Sequence, residues 1–127
     1  MILQKLENNA KLLLWIYLVA MLLLVVLPIN SPEKSTLNDN YTFGIRWDYL
    51  LHAIVYIPLP VLLALNKKIN FWIGLLLALI LASGFEFMQM ALSYRAFNIN
   101  DLVANLIGVG LGVFLLLILR CSINYLL

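Results

Sequence analysis

The chain has 127 residues, of which 65% are hydrophobic and only 11% charged. A soluble domain of this size leaves much of its surface in water and carries about 25% charged residues, so a water-soluble globule and a disordered chain are both excluded. The formal charge of +2, from 8 Lys/Arg against 6 Asp/Glu, is too thin for a nucleic-acid surface, and the single Cys121 cannot close an internal disulfide. The lipid bilayer is the expected solvent.

About 20 mostly apolar residues cross a bilayer, and four stretches reach that scale. In chain order they cover about residues 12–29, 48–65, 71–92 and 101–119, which predicts an all-α membrane protein, a bundle of four transmembrane helices forming one domain. The first stretch has too long an apolar core for a signal peptide and no small-residue cleavage pattern, so it is read as an uncleaved span ending at Pro28. In the second, Pro58 and Pro60 lack the amide protons that the Ile54 and Tyr56 carbonyls need, so a kink is expected there. Trp15, Trp47, Trp72, Tyr41 and Tyr94 fall near expected span ends, as an interfacial belt would.

Lys5, Lys11, Lys67, Lys68 and Arg120 fall on one side of this arrangement, and Lys34, Arg46 and Arg95 on the other. Basic residues favour the cytoplasm, so both termini are expected inside and the 30–47 and 93–100 loops outside.

The informative residues are those that lipid disfavours, because polar groups at membrane depth usually face a bundle interior or a water-filled cavity. Asp48, His52 and Tyr56 share one helical face; Ser83, Glu86, Gln89 and Ser93 form a second stripe; Asp101, Asn105, Gly108 and Gly112 form a third. At 1.5 Å per residue, His52 and Asn105 lie about 6 Å and Glu86 about 9 Å below the outer ends of their spans. Three consecutive helices therefore place polar groups at one level, on the side of Arg95, which predicts a polar pocket open to the extracytoplasmic side.

Each residue also has a plainer structural role. Asp48 and Asp101 stand where helix N-caps or first-turn acids stand, and a lone His52 is often a packing residue. Gln89 and Asn105 can serve as interhelical glue, and Gly108 and Gly112 as a small-xxx-small pair for close helix approach, including contact between two copies. Glu86 fits a plain role least well, since a carboxylate at that depth must be protonated, paired or solvated. A network of Glu86, Arg95 and His52, closed by Asp48 and Asn105, is the expected solution. Asp48, His52, Glu86 and Asp101 include metal-ligand types, but one histidine makes a metal centre a poor reading, and no cofactor is expected.

The run D48-Y-L-L-H52-A-I-V-Y56, then E86-F-M-Q89, R95 and D101-L-V-A-N105-L-I-G108-V-G-L-G112, resembles the VanZ-like family over about residues 15–118. Members often carry Lys after the first Asp and Phe after the His, where this chain has Tyr49 and Ala53. The resemblance implies a small bacterial membrane protein, in a family whose name-giving member contributes to teicoplanin resistance.

Three functions fit the pattern. The first is a protein that binds a lipid headgroup or another cell-envelope component, through Asp48, His52, Tyr56, Glu86, Gln89, Arg95, Asp101 and Asn105. The second is an intramembrane enzyme acting on a lipid-linked envelope substrate, with Asp48, His52 and Glu86 as candidate catalytic groups. The third is a small transporter or proton-coupled subunit that relays protons through Glu86 and His52.

Overall fold

The structure, a computed structural model, describes residues 9–27, 41–42, 44–66, 68–94 and 97–126. Helix α1 is Ala10–Val26, and a two-stranded hairpin of β1 (Tyr41–Thr42) and β2 (Ile45–Arg46) leads directly into α2 (Trp47–Tyr56). Helices α3 (Pro58–Leu65), α4 (Phe71–Gln89) and α5 (Ile99–Leu126) complete the described order. The strands pair antiparallel, Tyr41 with Arg46 and Thr42 with Ile45, and Gly44 turns the hairpin with φ +77°, a conformation open to glycine.

Three helical stretches are long and apolar enough to cross a membrane: Trp47–Leu65, Phe71–Gln89 and Ile99–Cys121, with Ala10–Val26 as a shorter apolar helix. The four expected segments are thus helical over most of their described residues, and their bounds differ. The end of the first expected span, Pro28 and Ile29, lies outside the described residues. The third helix stops at Gln89, three residues before the expected end. Beyond it the chain closes single turns through Met90 N–H to Phe87 O (3.1 Å) and Leu92 N–H to Gln89 O (3.1 Å). The fourth extends at both ends, because Asn98 starts it and its apolar pattern continues past Arg120.

The expected kink in the second span is a break in hydrogen bonding between α2 and α3. Ile57 keeps helical backbone angles (φ −56°, ψ −44°) and donates to Ile54 O at 3.3 Å, which fills a carbonyl that Pro58 leaves without a partner. The neighbouring Val55 carbonyl also accepts the Tyr17 hydroxyl of α1 at 2.8 Å. Asn70 caps α4, its side chain accepting from Ile73 N–H at 2.8 Å.

The core is built from Met21, Tyr56, Leu59, Leu63, Ala78, Ala82 and Val109. On α4, Gly74, Ala78, Ala82 and Glu86 recur every fourth residue and are all buried, so a ladder of small side chains ends in a carboxylate. On α5 the buried positions are Ala104, Asn105, Gly108, Val109, Gly112 and Leu116. Large apolar residues point outward instead, with Trp72 73% and Phe114 63% exposed, as suits lipid-facing surfaces. Trp15 and Trp47 are also exposed, and the Tyr94 hydroxyl donates to Val26 O and ties the end of α1 to the turn after α4. The Tyr41 side chain lies outside the described residues.

Lipid gives helices little hydrophobic reason to associate, so packing and polar contacts must hold them. Gly108 and Gly112 do this within the chain. A methyl group built on Gly108 would lie 2.2 Å from the Ala53 carbonyl oxygen, and one on Gly112 would lie 2.2 Å from that of Ile57. The pair 108/112 therefore meets the pair 53/57 with the same four-residue spacing, close enough that only a glycine fits. Within the chain this surface packs on α2 and on the Ile57–Pro60 stretch that follows it.

Candidate polar site among three helices

The N-terminal end of α2, the C-terminal end of α4 and the N-terminal end of α5 meet at one end of the bundle. Asn105 is the hub. It is 1% exposed and its amide nitrogen donates to Ala82 O (3.3 Å) and Glu86 Oε2 (3.5 Å), while its Oδ1 lies 2.8 Å from His52 Nδ1. One side chain of α5 thereby ties α4 to α2.

The other Glu86 oxygen, Oε1, accepts from the backbone N–H of Asn98 at 3.5 Å. That N–H stands at the start of α5, where helices present donors without intrahelical partners, so a side chain of the preceding helix fills one of them. Glu86 is 0% exposed, and both its oxygens accept a bond, although each bond is long. Asn98 also organises the turn itself: its Oδ1 accepts from Asn100 N–H (3.0 Å) and its Nδ2 donates to Asp101 Oδ1 (3.3 Å). The capping role weighed for Asp101 belongs to Asn98, and Asp101 sits in the first turn beside it.

Asp48 takes a different partner from the one expected. It is buried in the first turn of α2 and receives Arg46 in a two-pronged pair, Nη2 to Oδ2 at 2.6 Å and Nε to Oδ1 at 3.2 Å. Tyr49 N–H also donates to Asp48 Oδ1 (3.0 Å). Arg46 reaches the Tyr49 hydroxyl with Nη1 (3.1 Å) and lies 4.7 Å from the centre of the Tyr49 ring, and Asn100 Nδ2 donates to that same hydroxyl (3.3 Å). Removal from water works to lower the Arg46 pKa, and the charge of Asp48, followed by Tyr49, outweighs it, so the guanidinium stands above its ordinary value.

Tyr56 and Gln89 are buried, and neither side chain makes a hydrogen bond among the described residues. Ser83 is half-buried and Ser93 exposed in the turn after α4, so the α4 stripe narrows to Glu86 and Gln89. Arg95 lies outside the described residues. The helical stripes of the sequence include neither Arg46, which bears there only on topology, nor Tyr49, Asn98 and Asn100. The signals were the Arg-x-Asp spacing at a strand-to-helix junction and the Asn-x-x-Asp spacing at a helix start.

Three helices apolar and long enough to cross a bilayer, a shorter apolar one, and a polar network at one end are the features of a multi-pass helical membrane protein. The family model described as VanZ/LLP1 matches residues 14–120, and the chain belongs to that family. No curated protein and no solved structure matches it.

Proposed function

We propose that the network around Asn105 is a binding site for the polar headgroup of a cell-envelope lipid, opening on the extracytoplasmic face of a bacterial inner membrane. The observation that carries this reading is the gradation of one bonded set of polar groups, from fully buried Glu86 and Asn105 through half-buried His52 to exposed Asn100. Apolar surface surrounds the rest of the bundle, so a lipid could keep its chains in the membrane while its headgroup enters among these groups. The buried Gln89 amide and Tyr56 hydroxyl support the reading, since buried polar groups ordinarily find partners.

The test is mass spectrometry of lipids retained by the purified protein in a mild detergent. Enrichment of one lipid class over the membrane average, lost in Glu86→Gln with folding intact, is expected. Retention in bulk proportions by both proteins contradicts the site. Family membership also makes teicoplanin sensitivity of a deletion strain the natural phenotype to measure.

The orientation rests on the Lys/Arg bias, five against three, with both termini in the cytoplasm. In spheroplasts, Ser35→Cys in a Cys121→Ser background should react with an impermeant maleimide, and the native Cys121 should not. The reverse labelling would invert the topology and leave the helix contacts as described.

A further inference from the structure

Asn105 dictates more than the position of His52. The Ala82 carbonyl can only accept a hydrogen bond, so the Asn105 group facing it at 3.3 Å is the NH₂. Its Oδ1 then faces His52 Nδ1 at 2.8 Å, and an amide oxygen can only accept. Nδ1 must therefore carry the proton. In the neutral ring this leaves Nε2 as a bare lone pair, and Nε2 has no partner among the described residues. The ring is half-buried, one turn from the Asp48–Arg46 pair on the same helical face, and interacts electrostatically with Glu86 and Asp101, so it belongs to the graded set of polar groups.

We infer that His52 Nε2 is the acceptor for a proton donor on the bound headgroup, an ammonium N–H or a hydroxyl O–H, with Asn105 as the residue that positions the ring. This rests on the headgroup-binding reading and narrows it. A quaternary ammonium, which has no N–H, is not recognised at this atom. The arrangement is also the one by which an imidazole is aimed as a base, with one nitrogen held by a neighbour and the other turned to the ligand.

His52 is the single histidine of the chain, so the ring nitrogens of ¹⁵N-histidine-labelled protein give one unambiguous pair of signals. The protein is placed in nanodiscs of phosphatidylcholine alone, or mixed with phosphatidylethanolamine or with phosphatidylglycerol. Spectra are taken above the pH at which the ring becomes doubly protonated. In phosphatidylcholine the Nδ1–H tautomer with an unprotonated Nε2 is expected. A shift of the Nε2 signal with phosphatidylethanolamine only identifies an ammonium donor, a shift with phosphatidylglycerol only identifies a hydroxyl, and a shift with both identifies either donor.

An Nε2–H tautomer throughout, or an Nε2 signal that neither lipid moves, overturns the inference. Native mass spectrometry of protein released from the same nanodiscs separates the two levels of failure. Selective retention of a lipid with Nε2 unmoved leaves the headgroup site standing without this contact, whereas no selective retention removes the site itself.

Discussion

Gly108→Ala is expected to destabilise the protein by about 3 kcal/mol or more, at or above the upper end of the roughly 1–3 kcal/mol typical of overpacking. The added methyl would meet the Ala53 carbonyl oxygen at 2.2 Å, together with its carbon at 2.9 Å and Ala53 Cα at 3.0 Å. These are backbone atoms in the middle of α2, so no side-chain rotation relieves the overlap and the two helices must separate. Separation also breaks the His52–Asn105 bond one turn away, which couples the packing defect to the polar site. Gly112→Ala should behave similarly against Ile57 O, with Pro60 Cδ and Cγ at 3.0 Å as further obstacles. Gly110→Ala is the control, because no heavy atom lies within 4 Å of the added methyl, and its effect should stay within about 0.5 kcal/mol. Unfolding titrations in mixed micelles measure all three. Equal tolerance of alanine at 108 and 110 would remove the close contact between α2 and α5.

Asn105→Leu is expected to cost about 2–3 kcal/mol, by leaving a buried donor on His52 and a buried acceptor on Glu86 without their partner. Leucine is close to asparagine in size, so little of the loss is a cavity. The comparison is Gln89→Leu. Gln89 is also buried, yet it makes no hydrogen bond among the described residues, so its replacement should be neutral or slightly stabilising. The two amides looked alike as interhelical glue; they separate in the same unfolding assay. A loss at Gln89 equal to that at Asn105 would mean that Asn105 is no special junction.

The helices were legible because lipid leaves few ways to fold a chain: four apolar runs become helices, and the stripes 48/52/56, 86/89 and 101/105/108/112 turn inward together. The stripes also named most of the residues that meet. What the stripes could not give was partnership. His52, Glu86 and Asn105 share a level and Asp48 lies one turn above His52, but a two-stranded hairpin swings Arg46 onto Asp48, and nothing in the helical periodicity registers a hairpin of two residues per strand. Asn98 was hidden for a similar reason, since its contribution to Glu86 is a backbone N–H, a group that every residue but proline carries. Gly108 and Gly112 were recognisable as a contact surface from spacing alone. Their partner was not, because Ala53 and Ile57 contribute carbonyl oxygens rather than side chains.

The central claim is that α2, α4 and α5 share one polar network joined through Asn105. His52 and Glu86 have no hydrogen bond to each other and are each bonded to Asn105, so their coupling is its most direct measure. A double-mutant cycle on His52→Phe and Glu86→Leu, read by unfolding free energy, is expected to be non-additive by about 1 kcal/mol, within the range of residues that share a partner. In an Asn105→Leu background the coupling should vanish. Additivity within about 0.3–0.5 kcal/mol in the wild-type background, or coupling that survives the loss of Asn105, would contradict a network joined at that residue.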